Sequence, residues 1–293
     1  MLSQQLFNAL VLGSVYALFA LGFTLTFGVL RVINLLYGFY VAAGAFAALV
    51  GVQNLGLGLW AAGAFGVVVA GLVAVVCDFL LLTPLRRAKA PELSSLIVTL
   101  GGVLLMNSVM QIVFGAEVRR FPARLLSQDA LSVGPLLVAP LQLVIIATVF
   151  GLVALLFWFM ERTRLGTAIR AVAERPDTAA LMGVNVGLVV GGVSFLSAAL
   201  SATAGILIGL NFNAVQPYMG ESMMLRGFAI IIVGGLGDIR GALVAGLALG
   251  FLEVMTAGYV SSNLKEAVAF AALILGLWLR PNGLFGRASG KRA

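Results

Sequence analysis

The chain of 293 residues has no histidine, a single cysteine (Cys77) and few charged side chains, which make up 10% of the total. One cysteine excludes an intrachain disulfide and a cysteine-cluster metal site, and the lack of histidine excludes the usual triads and imidazole metal sites. An intramembrane enzyme would need such groups or paired acids. We therefore predict that the protein is not an enzyme and holds no metal and no cofactor.

Apolar sequence is abundant instead, because 61% of the residues are hydrophobic and long apolar runs recur along the chain. Backbone polar groups in lipid must be paired within their own segment, so these runs predict membrane-spanning helices. The runs are continuous rather than alternating, which disfavours a β-barrel. The first residues, MLSQQLFN, lack the basic pattern of a cleavable signal.

We predict an all-α polytopic membrane protein with about eight or nine transmembrane helices, which forms one transmembrane domain over residues 1–293. The second and seventh apolar segments are short for a hydrocarbon core of about 30 Å, so they are predicted to be tilted, broken or re-entrant. The nine segments are 6–30, 36–53, 57–83, 93–115, 139–160, 188–210, 223–236, 241–258 and 264–280.

The distribution of basic residues predicts the orientation, because cytoplasmic loops are enriched in Lys and Arg. One arrangement puts most of the 18 basic residues on the cytoplasmic side. This side then holds Arg31, Arg86, Arg87, Lys89, the segment 161–187, Arg240 and the C-terminal tail. The other side keeps Arg119, Arg120, Arg124, Arg226 and Lys265. The N-terminus is thus predicted outside and the C-terminus inside. The basic residues of the cytoplasmic loops explain the net positive charge of the chain, so no nucleic-acid partner is predicted.

Two apolar segments resemble each other. Residues 66–78 (GVVVAGLVAVVCD) and 241–253 (GALVAGLALGFLE) share identical residues at five positions, and each ends in an acid. Apolar segments match easily by chance, but these two fall in spans that cross in opposite directions. The match is compatible with an inverted repeat of two halves, an arrangement common in transporters.

A charged segment, residues 161–187, interrupts the apolar sequence. Leu165, Ala168, Ile169 and Val172 within it recur at helical spacing, which predicts an amphipathic helix. Pro176 can begin a second short helix, which Gly183 can end. Two short amphipathic helices on the cytoplasmic face predict a docking surface for a soluble partner; the alternative is a solvated loop on the headgroups.

Polar groups inside the spans are candidates for a pathway, because an ionisable group at the bilayer centre costs about 2.5–3.5 kcal/mol. Asn107 and Gln111 share one helix face, where such amides join helices as often as they line a pathway. Glu253 could pair with Lys265 or Arg226, and Asp78 is expected to be an interfacial carboxylate.

The chain offers no charged constellation for ion coupling and no Walker A sequence. The glycine-rich run 234–241 (GGLGDIRG) lacks the required ending and is expected to form a tight turn. A pathway without its own energy source, combined with a docking segment, predicts a permease driven by separate ATPase subunits. The alternative is a stand-alone ion-coupled transporter or a channel for a small polar solute.

Five segments in order resemble the permeases of branched-chain amino acid (leucine/isoleucine/valine) ABC transporters. They are GVLRVINLLYGFYVAAG from Gly28, TLGGVLLMNSVMQIVFGAEVRRFP from Thr99, the 161–185 segment, the 217–253 region with PYMG and GGLGDIRGA, and LRPNGLFG from Leu279. The chain departs from the family where an AHGE-like run commonly follows the asparagine, because Asn34 here precedes LLYGF. Related permeases carry urea, amides or aromatic acids, so the resemblance leaves the substrate open.

The resemblance implies an importer in the bacterial cytoplasmic membrane. Its other parts would be a second homologous permease, two cytoplasmic ATPase subunits and an external substrate-binding protein. The residues expected to couple transport to the ATPases are Leu165, Ile169, Arg170, Glu174, Arg175, Asp177, Ala179, Ala180, Met182 and Gly183. The pathway or gate candidates are Asn34, Tyr37, Asn107, Gln111 and Glu253. Asn34 is predicted to bond backbone freed at a break, and Tyr37 to lie near the pathway or to pack at the headgroups.

Overall fold

The computed structural model describes residues 2–30, 32, 34–88, 90–122, 131–133, 136–279 and 283–285. Arg31, Lys89, Arg124 and the basic residues of the C-terminal tail, all used to predict the orientation, lie outside these ranges. The helices within them are α1 (Leu2–Leu30), α2 (Leu36–Gln53), α3 (Leu59–Cys77), α4 (Thr83–Arg87), α5 (Glu92–Phe114), α6 (Pro140–Arg162), α7 (Arg164–Glu174), α8 (Pro176–Leu181), α9 (Val186–Asn211), α10 (Met219–Gly234), α11 (Ile239–Tyr259) and α12 (Lys265–Leu279).

The described residues are almost all helical, which confirms the predicted all-α membrane fold. A π-helical turn (Asp78–Leu82) joins α3 to α4, and a short antiparallel hairpin, β1 (Leu131–Val133) and β2 (Leu136–Val138), lies before α6. Seven helical segments are long and apolar enough to cross a bilayer. The other two predicted spans correspond to α10 and α12, which are shorter.

Helices α1 and α11 pack along each other over most of their lengths, in opposite directions. Glycines set their spacing, because a Cβ atom on Gly246 would overlap Ala17 and one on Gly250 would overlap Gly13. Near the two ends, Gly28 lies beside Gly237. Such small-residue contacts let helix backbones approach closely where no hydrophobic effect drives helices together.

The short helix α2 begins in the middle of the bundle. The Tyr37 hydroxyl donates to the carbonyl of Phe19 (3.1 Å) on α1 and to that of Ser197 (2.9 Å), near the middle of α9. The Ser201 hydroxyl donates to the Tyr37 carbonyl at 3.0 Å. After α1 ends at Leu30, the chain therefore turns back along α1. Helix α2 is long enough to cross a bilayer but starts at mid-depth, and we call α2 and the shorter α10 half-helices for that reason.

The second short helix, α10, starts against the first. The backbones of Gly220 and Gly38 touch so closely that a Cβ atom on either glycine would overlap the other residue. We call residues 34–38 and 218–222 the half-helix junction. The two segments predicted to be broken or re-entrant thus begin together near the middle of the membrane-spanning bundle.

The packing pattern occurs twice in the molecule. Helix α1 packs against α11, and α9 packs against α3. Gly66 of α3 approaches Gly44 of α2, while Gly241 at the start of α11 approaches Gly234 of α10. These helix pairings are compatible with the predicted inverted repeat of two halves.

Candidate functional site

The charged segment 161–187 folds as two short helices, as its sequence pattern predicts. Thr163 caps α7, because its hydroxyl oxygen accepts from the backbone N–H of Gly166 at 3.0 Å. Pro176 stands in the first turn of α8, where its missing N–H costs nothing. Gly183 ends α8 with a φ of 84°, a left-handed conformation that favours glycine.

Helix α7 turns one apolar face toward the rest of the chain. Ile169 and Val172 are buried, as the stripe predicts, and α7 packs on α1, α6 and α9. Leu165 differs, since 63% of its surface is exposed. Leu165 lies in the first turn of α7, directly after the end of α6.

Only part of the predicted docking surface of α8 is exposed, and the C-terminal end of the helix is strongly exposed. Ala179 is 6% exposed and packs within the chain, so it is not available to an ATPase subunit in this conformation. Ala180 is exposed, and Leu181 and Met182 expose 88% and 82% of their surfaces. Glu174, Arg175, Asp177 and Gly183 are also exposed.

The segment is fastened to the end of α6. A Cβ atom on Gly166 would overlap the carbonyl oxygens of Phe159 and Met160, so α7 lies directly against that end. The Arg170 guanidinium donates to the Met160 carbonyl and, at 3.3 Å, to the Thr167 hydroxyl. Arg170 thus links two helices as well as being exposed on the surface.

A cleft of about 480 Å³ separates α7 from the turn between α10 and α11. Asp238 caps α11 by accepting from the backbone N–H of Gly241 at 2.8 Å. Arg240 lies 3.8 Å from Glu161 in an exposed ion pair across this region. The cleft is lined by Thr24, Glu161, Ile169, Arg170, Asp238 and Arg240, among others.

The gate candidates Asn34 and Tyr37 lie in the half-helix junction. The Asn34 side chain accepts from the backbone N–H of Leu36 at 3.0 Å, which confirms the predicted bond at the start of α2. Tyr37 is 1% exposed and stacks on Phe23 with ring centroids 5.2 Å apart. Neither headgroup packing nor an open pathway surrounds Tyr37 in this conformation.

The amides of α5 meet the beginning of α10. The Asn107 side chain donates to the Glu221 carboxylate at 3.2 Å, and the Gln111 side chain donates to the Tyr218 hydroxyl. We call these four residues the polar face. Asn107 is buried, while Glu221 and Tyr218 are exposed.

The remaining candidate, Glu253, belongs to a buried network. Its carboxylate accepts from the Arg226 guanidinium at 2.7 Å and from the Tyr16 hydroxyl at 2.7 Å. Arg226 also donates to the Ser222 carbonyl at 3.0 Å. Of the two predicted partners, Arg226 is confirmed. Arg226 lies within the predicted segment 223–236, in α10, and is buried.

Asp78, in contrast, has a local partner. Its carboxylate accepts from Arg86, one turn beyond the π-helical segment, at 2.5 Å. The carboxylate is buried, whereas Arg86 is partly exposed. Asp78 and Glu253, which end the two similar sequence segments, are therefore each neutralised by an arginine.

Sequence reasoning missed Glu221. The residue stands in a short polar stretch, PYMGES, which reads as an ordinary loop. Its hydrogen bond to Asn107 joins residues 114 positions apart. A cap signal could have placed it in the first turn of a helix, but no pattern in the sequence places that turn at mid-depth.

Comparison with known proteins identifies the family. The profile described as the branched-chain amino acid transport system permease component matches residues 5–277. The chain belongs to this permease family. The permease protein LivH of the high-affinity branched-chain amino acid transport system of Escherichia coli K12 is 31% identical to it over 97% of this chain and 95% of LivH.

Two further relatives differ in the share of this chain that they match. The permease protein BraD of the corresponding system of Pseudomonas aeruginosa PAO1 is 30% identical over 97% of this chain and 95% of its own length. The ribose import permease RbsC of Haemophilus influenzae is 29% identical over 53% of this chain and 49% of its own length. The resemblance to amino acid permeases thus extends over nearly the whole permease.

Proposed function

We propose that the chain is the transmembrane permease subunit of an ABC importer for branched-chain or related amino acids, driven by separate ATPase subunits. The observation that carries this is the geometry of α7 and α8, which stand outside the bundle but are anchored to it. Ile169 and Val172 hold α7 against the bundle, and Leu181 and Met182 leave an apolar end uncovered. Exposed apolar helix ends of this kind fit a groove on a partner.

Coupling would proceed through the anchored helices. Closure of two ATPase subunits would push on α8 and α7, and α7 contacts α1, α6 and α9 directly. Of these, α1 and α9 both hold Tyr37 at the start of α2. Movement at the docking segment can therefore reach the half-helix junction through continuous helices. A second homologous permease and an external binding protein would complete the importer.

The docking role is tested at Ala180, which is exposed on α8. An Ala180→Glu variant should lose copurification of the ATPase subunits and uptake, because a desolvated, unpaired charge in an interface is strongly unfavourable. An Ala180→Ser variant adds no charge and should retain both. Normal copurification and coupled ATP hydrolysis in Ala180→Glu would remove α8 from the mechanism.

We also propose that the docking segment is cytoplasmic and the N-terminus external, as the basic residues indicate. Thr178 is exposed on α8, and Ser262 is exposed between α11 and α12, on the opposite predicted side. On a Cys77→Ala background, a membrane-impermeant thiol reagent should label Ser262→Cys but not Thr178→Cys in intact cells. The reverse pattern would invert the topology.

A further inference from the structure

Glu221 places an exposed carboxylate at mid-depth in the bundle. It stands in the first turn of α10, directly after Gly220, whose backbone touches Gly38 at the half-helix junction. The junction is level with Ser197, near the middle of α9, because Tyr37 bonds that residue. Asn107, which bonds Glu221, lies about two turns before the end of α5.

A charged group at this depth cannot face lipid without a large penalty, and such groups face a bundle interior or a water-filled cavity. The residue is exposed in the single chain. A polar pair lies beside it, since the Tyr218 hydroxyl and the Gln111 side chain bond each other, while Leu225, one turn along α10, is exposed as well. Glu221 therefore faces either an aqueous pathway or the second permease.

The Glu221 carboxylate is available to bind a cation. The ion pairs among the described residues do not include Glu221. Arg226, one turn further along α10, is engaged by Glu253 at 2.7 Å. The bond from Asn107 reaches one carboxylate oxygen, Oε1, at 3.2 Å.

We propose that Glu221 binds the ammonium group of the transported amino acid at the half-helix junction, with Asn107 holding the carboxylate in place. An ammonium group donates up to three hydrogen bonds. It also supplies the positive partner that the described ion pairs do not give Glu221. Transporter sites occur at this depth, next to discontinuous helices. This inference rests on the proposed function and narrows its cargo to solutes with an ammonium group, rather than urea, amides or simple acids.

The test uses the complete importer with its binding protein in proteoliposomes and measures leucine uptake and ATP hydrolysis. Glu221→Gln keeps an oxygen that can accept from Asn107 but removes the charge, so uptake should fall at least tenfold. ATP hydrolysis stimulated by the loaded binding protein should stay within twofold of wild type. Glu221→Asp should retain more uptake than Glu221→Gln.

Glu117 supplies the control. It is an exposed carboxylate in the turn after α5, and none of the described ion pairs includes it. Glu117→Gln should transport leucine like wild type. Wild-type uptake in Glu221→Gln would overturn the ammonium site. Loss of the second permease on purification of Glu221→Gln would also overturn it and assign the carboxylate to that interface.

A binding measurement separates the permease from the binding protein. In nanodiscs without the binding protein, isoamylamine should compete with labelled leucine, and this competition should weaken at least tenfold in Glu221→Gln. 4-Methylpentanoate, which lacks the amine, should compete equally in both. Equal competition by isoamylamine in both proteins would refute the proposal. If the wild-type importer moved no amino acid at all, the proposed function itself would fail.

Discussion

The guanidinium of Arg226 on α10 donates to the carboxylate of Glu253 on α11 across 2.7 Å, and both side chains are buried. The Tyr16 hydroxyl donates to the second carboxylate oxygen, and the guanidinium carbon lies 5.5 Å from the centroid of the Tyr16 ring. The network therefore ties the half-helix α10 to both α1 and α11. It holds in place the helix whose first turn contributes to the half-helix junction.

Glu253→Gln should strongly destabilise the protein, because it leaves Arg226 charged and unpaired in the bundle. Breaking a buried pair in this way costs about 3–5 kcal/mol. Tyr16→Phe removes one hydrogen bond and should cost about 1 kcal/mol. Both costs are measured from the thermal unfolding of the purified permease, with the loss of its monodisperse peak on heating as the observable. Equal stability of Glu253→Gln and wild type would show that the pair is not needed to hold α10.

Gly220→Ala should prevent α10 from starting against α2, since its Cβ atom would overlap the Gly38 backbone. Backbone must move to relieve this contact, so we expect a cost of at least about 1–3 kcal/mol, together with loss of uptake. Gly191→Ala and Gly192→Ala on α9 are matched controls, because no atom lies within 4 Å of the added Cβ atom. Normal uptake and melting of Gly220→Ala would contradict the close approach.

Tyr37 offers a separate test of the junction. Tyr37→Phe keeps the ring against Phe23 but removes the hydroxyl that bonds the helix carbonyls of Phe19 and Ser197, at a cost of about 1 kcal/mol. Tyr37→Ala should cost about 3–5 kcal/mol, because it also leaves a cavity. Tyr259→Phe is the control, since that ring is 58% exposed. Similar melting temperatures for all three variants would contradict a role for Tyr37 in holding α2.

Hydropathy predicts the helix positions well, because each span must satisfy its own backbone hydrogen bonds in lipid. The predicted segment 36–53 coincides with α2, and 188–210 falls within α9. The shared face of Asn107 and Gln111 also follows from helical spacing. These features depend on local sequence alone.

The contacts between distant segments could not be predicted in this way. The sequence indicates that α2 and α10 are short, but not that they begin against each other. The sequence offers both Lys265 and Arg226 as partners of Glu253 and does not decide between them. Glu221 gains its meaning only from the depth at which Gly220 meets Gly38. Ala179 is buried, and α8 packs against α7 and α9. The local sequence of α8 does not reveal these contacts.

Gly166 tests the proposal that the segment 161–187 transmits movement to the bundle. A Cβ atom there would overlap the carbonyl oxygens of Phe159 and Met160, so Gly166→Ala should separate α7 from the end of α6. The exposed end of α8 would remain, and the ATPase subunits should still bind and hydrolyse ATP. We expect the amount of leucine transported per ATP to fall several-fold, because the push on α7 no longer reaches α6 directly.

Gly187→Ala is the control within the same segment, because its added Cβ atom would meet only the Asn185 side chain, at an ordinary 3.5 Å. It should transport as much leucine per ATP as wild type. Transport and ATP hydrolysis are measured together in proteoliposomes that contain the whole importer. An unchanged ratio in Gly166→Ala would show that force passes from α7 to α1 and α9 without the contact at α6. Loss of the ATPase subunits would instead make Gly166 part of the docking surface.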